Sequence, residues 1–266
     1  DGDFQMVYYR TDVLSSNGLQ PPKTWEDYLD VASKIHGQDM NGDGEGDFGS
    51  CIFKKRNAQS YFAIQTFAAP IVQTQGTAQG FHFDNSNMKP IINNDGWKKA
   101  FELYKATGKY GPPDELNMDI GDTRALFKAG RCGLIVEWGD PGTLQLDDDA
   151  SAIKGKMYAI SAVGSKEVLD RATGKLVPVS ASTAPYAVDG INYAPFAAFG
   201  GWAGAVNKGA DAKTKAAAYA FLSYMNQAAQ SGVDVTIGAT GYNPYRTSQL
   251  ASTDLWVKAG MPKALA

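Results

Sequence analysis

The chain has 266 residues, 44% of them hydrophobic and 20% charged, which is length enough for two domains and the balance of a folded globular protein rather than a disordered one. With 25 Lys and Arg against 28 Asp and Glu the formal charge is −3, so no basic surplus exists to hold a phosphate backbone and nucleic acid is not an expected partner. The longest apolar-looking run, residues 193–206, is broken by Pro195, Gly200, Gly201 and Gly204 and falls short of the ~20 residues of a bilayer span, so no membrane crossing is expected.

The first element is a strand-like apolar stretch, Phe4-Gln5-Met6-Val7-Tyr8-Tyr9. A helix then follows Pro21-Pro22-Lys23-Thr24, with Thr24 as its cap, Glu26 and Asp27 in the first turn, and Trp25, Tyr28, Leu29, Ala32 and Ile35 on its apolar face. Cys51-Ile52-Phe53 reads as the head of a strand. Residues 95–105 form a second helix with Trp97, Ala100, Phe101 and Tyr104 on one face. A third, 122–128, ends at Gly130 and runs into a buried strand, Cys132-Gly133-Leu134-Ile135-Val136. Residues 157–163 read as another strand, and 167–179 as a hairpin turning at Gly174. A long helix over 211–229 carries Ala218, Phe221, Leu222, Met225 and Ala229 as its buried stripe. Helices alternate with strands throughout, which implies an α/β fold with a largely parallel sheet. The two cysteines permit one disulfide, and two separate buried thiols explain the same facts.

The sharpest local motif is Asp39-Met40-Asn41-Gly42-Asp43-Gly44-Glu45-Gly46-Asp47. Oxygen atoms of Asp39, Asn41, Asp43 and Asp47, with the Glu45 carbonyl, have the spacing of an EF-hand-like loop around structural Ca²⁺, with Gly44 at the sharp turn. Its twelfth position is Ser50 rather than a bidentate Glu, and the alternative is an Asx-rich turn that binds nothing. A second constellation is aromatic: Trp138 beside Glu137 and Asp140, Trp202 after Gly200-Gly201, and Tyr242-Asn243-Pro244-Tyr245-Arg246. A sugar ring has an apolar C–H face and a hydroxyl edge, so its site wants flat aromatic faces with Asp, Asn or Arg at the rim. Taken singly, each Trp is more often core than platform, and each carboxylate more often solvated. With two histidines, His36 and His82, no His-based triad or zinc site follows, and no phosphate loop or nucleophile elbow is present.

Asp1-Gly2-Asp3 running into Met6-Val7-Tyr8-Tyr9-Arg10-Thr11-Asp12, then Pro21-Pro22-Lys23-Thr24-Trp25-Glu26-Asp27-Tyr28, resembles family 1 extracellular solute-binding proteins. Ala125-Leu126-Phe127-Lys128-Ala129-Gly130 before a strand, Gly200-Gly201-Trp202-Ala203-Gly204-Ala205-Val206-Asn207-Lys208, and Ala217-Ala218-Tyr219-Ala220-Phe221-Leu222 fit the same family in the same order. The resemblance implies the sugar-binding component of a bacterial ABC importer, periplasmic or membrane-anchored outside the cytoplasm. It would act as a monomer that delivers a mono- or oligosaccharide to the permease without chemistry on it. The fold it implies is a two-lobed, type II-like periplasmic-binding-protein fold. Residues 1–10 would be a crossing strand, 11–192 the second lobe, 193–242 a return completing the first lobe, and 243–266 a crossing back. Family members start with a long segment that builds most of the first lobe and continue past a point like Ala266, so the expectation is an interior stretch with that lobe incomplete.

By position, the resemblance makes Asp3 an acceptor of sugar hydroxyls, Trp138 a stacking surface with Asp140 near it, and Gly201 and Trp202 the hinge and floor of the cleft. Tyr242, Asn243 and Arg246 close one end, and Tyr61 is a further candidate that helix core explains equally. Two other classes compete: a carbohydrate-active hydrolase using Glu137 or Asp140 with a second carboxylate, and a calcium-stabilised interaction module.

Overall fold

The computed structural model describes residues 2–76, 79–140, 142–143, 151–160, 163–196, 201–237 and 241–266. Strand β1 (Gln5–Arg10) is followed by a short helix α1 (Thr11–Ser16) and by α2 (Trp25–Ile35). Helix α2 starts where the sequence predicts because Thr24 and Asp27 form a reciprocal cap: the Asp27 amide donates to the Thr24 hydroxyl at 3.1 Å, and the Thr24 amide donates to the Asp27 carboxylate at 3.0 Å. Its buried face is Trp25, Tyr28, Val31, Ala32 and Ile35, and the Trp25 ring stacks on Phe67 at 3.7 Å. Leu29, predicted to be on that face, is half-buried at its edge.

Strand β2 (Phe48–Cys51) leads into α3 (Ser60–Val72), α4 (Asp95–Thr107) and α5 (Ile120–Lys128) before β3 (Cys132–Trp138). Gly130 at φ 80° turns the chain from α5 into β3, the backbone state that favours glycine. On α4, Phe101 is 55% exposed while Leu103 is buried, so the apolar stripe is rotated from the predicted one. Strand β4 (Met157–Ile160) and a hairpin of β5 (Glu167–Asp170) and β6 (Lys175–Pro178) follow, with Gly174 at φ 70° in the turn. Residues 161 and 162 of the predicted 157–163 strand, and Phe199 and Gly200 of the glycine-rich segment, lie outside the described residues.

The main sheet has the order β2-β3-β1-β4. Only β2 and β3 are parallel; β1 runs antiparallel to both β3 and β4, which corrects the expectation of a largely parallel sheet. The helical crossover from β2 to β3 enforces one parallel pair, while alternation of helix and strand says nothing about the direction of β1, whose neighbours both come later in the chain. One face of the sheet, through Val7, Leu134 and Val136, packs with Trp25, Tyr28, Phe67 and Trp97 in the larger core. The opposite face, through Tyr8 and Ile135, packs with Phe127, Ile153 and Met157. Cys51 and Cys132 also belong to this second cluster and are joined as a disulfide, Cα–Cα 6.0 Å, which decides between the two readings of the cysteines.

The predicted helix over 211–229 is two helices, α6 (Ala212–Met225) and α7 (Ala228–Asp234), divided at Asn226 and Gln227. No residue of α6 is buried, and Phe221 is 62% exposed, so the predicted stripe is at best half-covered. Leu222 meets Gly204, where a Cβ would lie 2.4 Å from its side chain, and little else of the described chain covers this face. Two short helices, α8 (Thr247–Leu250) and α9 (Asp254–Lys258), end the chain. Among the described residues no helix is long and apolar enough to cross a membrane.

Candidate functional site

The C-terminal end of β3, the N-terminal end of β1 and the first turns of α3 meet at one end of the sheet. Gln5 stands opposite Trp138 in the β1–β3 ladder, and the Phe4 ring fills the space beside Gly139. The Trp138 indole N–H donates to Gln59 Oε1 at 2.8 Å, and its ring meets Phe62 edge-on at 4.9 Å. Phe62 in turn lies 4.0 Å from Tyr61 and 6.4 Å from Phe196. Trp138 is only 6% exposed, so it backs the site as a wall; the outward aromatic face is that of Tyr61, 46% exposed. Asp3, just before β1, accepts a hydrogen bond from Asn243 Nδ2 at 2.9 Å. The structure therefore links Tyr61, Trp138, Asp3 and Asn243 to this end of the sheet. Sequence reasoning missed Gln5, Gln59, Phe62 and Thr66, which carry no motif of their own.

Asp140, expected near the ring stacked on Trp138, is held by Arg124. Arg124, on α5, donates to both Asp140 oxygens at 2.8 and 2.7 Å and to both Glu137 oxygens at 2.9 and 3.1 Å. The Glu137 side chain is 0% exposed and that of Asp140 4%. Burial pushes the Glu137 carboxyl up to about 7 against the pull of Arg124. Burial alone would lower the guanidinium's pKa, but the two carboxylates raise it, so Arg124 is held charged. The hydrolase alternative needs two carboxyls facing a substrate, and here the pair faces one guanidinium.

Gly201 takes φ 106° and Trp202 is 83% exposed; no ring pair among the described residues joins Trp202 to Trp138 or Tyr242. Tyr242 is 38% exposed. Arg246 is turned toward the α6–α7 junction, donating from Nε to Ser231 Oγ at 3.0 Å and from Nη2 to the Asn226 carbonyl. A separate apolar groove of about 250 Å³, lined by Phe4, Met6, Tyr8, Trp256 and Met261, includes none of the predicted ligand residues.

In the calcium motif the side-chain oxygens accept hydrogen bonds from the loop's own amides. Asp39 accepts the backbone N–H of Gly42 at 2.6 Å and of Gly44 at 2.9 Å, Asn41 accepts that of Asp43 at 3.1 Å, and Asp43 accepts that of Glu45 at 2.9 Å. The Asp47 carboxylate is buried and taken by Arg131 Nε at 2.9 Å and the Met40 amide at 2.7 Å, while Glu45 pairs with Arg131 at 3.1 Å. Among the described residues no three His, Cys, Asp or Glu side chains converge as a metal site.

Residues 2–263 match the family described as Bacterial extracellular solute-binding protein. The chain belongs to this family. The solute-binding chain is also similar in fold to solved ABC transporter solute-binding proteins. One, from Agrobacterium radiobacter K84 in complex with ribitol, is 18% identical with a TM-score of 0.67, covering 98% of this chain and 56% of that one. Another, from Agrobacterium vitis S4 with bound D-mannitol, is 19% identical with a TM-score of 0.64 over 99% of this chain and 55% of that one. Maltose-bound T. maritima MalE3 is 20% identical with a TM-score of 0.64 over 97% of this chain and 56% of that one. The mixed α/β fold of the solute-binding chain is thus that of periplasmic solute-binding proteins, and the chain spans a little over half the length of these relatives.

Proposed function

We propose that this chain is the ligand-holding part of a carrier that captures a saccharide or polyol outside the cytoplasm and passes it unchanged to an ABC permease. The observation that carries the reading is the run of Tyr61, Phe62 and Trp138 at one end of the sheet, with the Gln59 amide and the Asp3–Asn243 pair around it. Apolar ring faces bordered by amide and carboxylate oxygens suit the two-sided surface of a carbohydrate. Family membership and the ribitol, D-mannitol and maltose held by similar folds support it. The commitment of Glu137 and Asp140 to Arg124 favours capture without turnover. The disulfide suits an oxidising compartment such as the periplasm.

In this reading the ligand contacts two lobes and biases an open–closed equilibrium toward the closed form, which the permease recognises in a monomeric carrier. Asp3, Tyr61, Trp138, Trp202, Tyr242 and Asn243 are the contacts proposed, with Gly201 at the hinge. A thermal-shift screen of saccharides and polyols against the full-length protein tests it: the expected result is a higher melting temperature with at least one ligand, and no response to any would contradict it. Trp202→Ala is expected to weaken saccharide affinity at least about tenfold in calorimetry. Its effect on folding should be small, because the ring is 83% exposed. Unchanged affinity would remove Trp202 from the site.

Calcium takes no step in this mechanism. A structural Ca²⁺ held by Asp39, Asn41, Asp43, Asp47 and the Glu45 carbonyl is part of this reading, and millimolar Ca²⁺ is expected to raise the melting temperature and EDTA to reverse the rise. No response to either would leave the loop an Asx-rich turn held by its own amides and by Arg131.

A further inference from the structure

Gln5 is 2% exposed, yet its side-chain amide is only half satisfied. Lying opposite Trp138 in the ladder, it leaves the same face of the sheet, toward α3. There the Thr66 hydroxyl lies against Gln5 Oε1 and also donates to the Phe62 carbonyl at 3.0 Å. A hydroxyl has one proton and cannot donate to both. The consistent arrangement turns the amide so that Gln5 Nε2 donates to Thr66 Oγ1 while the hydroxyl donates to Phe62. One end of the carboxamide is tied to Thr66, and the other end meets no acceptor among the described residues.

Gln5 and Thr66 form the polar side of a cavity of about 10 Å³ whose other walls include Val163, Ala194, Pro195 and Phe196. Such a volume admits roughly one water-sized group, and a buried water usually takes about three hydrogen bonds. This wall offers one free amide end and the one lone pair that Thr66 Oγ1 has left. A water with these two partners falls short of its usual three bonds, whereas a ligand hydroxyl fits the same volume and meets the amide while the carbon frame that carries it needs no hydrogen bonds. The Phe196 ring continues through Phe62 to Trp138, so the cavity adjoins the site described above.

We infer that Gln5 is a specificity-determining residue of that site, its carboxamide pairing with one hydroxyl of the bound sugar or polyol. The inference rests on the proposed function. A buried group left half-paired penalises any ligand that lacks the matching hydroxyl, so discrimination arises from this position.

Calorimetry on the full-length protein tests it, with ribitol, D-mannitol and maltose as probes, followed by monodeoxy analogues of whichever binds. Wild type is expected to bind a probe and to lose about tenfold or more in affinity for one monodeoxy analogue. Gln5→Met, similar in length but apolar, is expected to bind the parent probe about tenfold more weakly and to lose that discrimination, with the unliganded melting temperature not lowered. The wild-type comparison stands even should Gln5→Met fail to fold: equal affinity for the parent and every monodeoxy analogue overturns the inference. So does a Gln5→Met protein that discriminates as sharply as wild type. Where none of the three binds, the parent probe is the ligand that responds in the thermal-shift screen, and a wild type that binds no saccharide or polyol of that screen overturns the proposed function instead.

Discussion

Arg124→Ala is expected to destabilise the fold by about 3–5 kcal/mol, because it strips a buried pair of carboxylates of the one cation they share among the described residues. Glu137 and Asp140 both turn their oxygens to this guanidinium, and their side chains are 0% and 4% exposed, so water cannot replace it without opening the end of β3. Glu137 also accepts the Trp138 amide at 2.6 Å, which couples the loss to the wall of the candidate site. The deficit should depend on pH. Burial holds the folded Glu137 carboxyl at about 7, above its ordinary 4.5, so the folded state binds the extra proton. Stability from this group is therefore full below about pH 4.5 and lost as the pH rises through about 7. Without Arg124 the Glu137 carboxyl ionises less readily, so the variant should fall furthest behind wild type at pH 8 and recover toward pH 5. Urea unfolding followed by circular dichroism at both values reads this; a loss below about 1 kcal/mol at pH 8 would mean the cluster is solvated rather than buried.

Removing the Cys51–Cys132 bridge is expected to cost about 2–5 kcal/mol. The bond closes a loop with a sequence separation of 81, which holds α3, α4 and α5, so reduction frees a long stretch of the unfolded chain. Both sulfurs also belong to the apolar cluster beneath Tyr8 and Phe127, and serine at these sites would bury two hydroxyls. The comparison of oxidised wild type with the same protein in dithiothreitol isolates the bond from the serine effect. Equal unfolding midpoints in the two conditions would contradict a stabilising bridge.

What the sequence disclosed and what it hid divide along physical lines. Helix α2 was legible because its cap, first-turn acids and apolar face are all local, and the β5–β6 hairpin because its turn needs Gly174 at positive φ. Helix α3 was not: Ala63, Phe67, Ala68, Ala69, Ile71 and Val72 are buried together, so no polar face marks a period, its cap residue Gln59 makes no capping bond, and Pro70 lies inside it. The direction of β1 depends on partners far along the chain and left no local trace. At the site, Trp138 stood out as a residue type and Asp3 through the family resemblance, but the Arg124 clamp on Asp140 joins separate elements, and Gln5 becomes notable only when its unsatisfied amide is seen against Thr66. The stripe on α6 was correctly spaced, and its exposure shows that periodicity reports a face able to pack without naming what covers it.

The most direct measurement is equilibrium dialysis of the full-length protein against a labelled saccharide or polyol, followed by chromatography of the released ligand. The account predicts saturable retention and recovery of the ligand chemically intact. Retention by none of a broad set of sugars and polyols, or release of cleaved products, would contradict it.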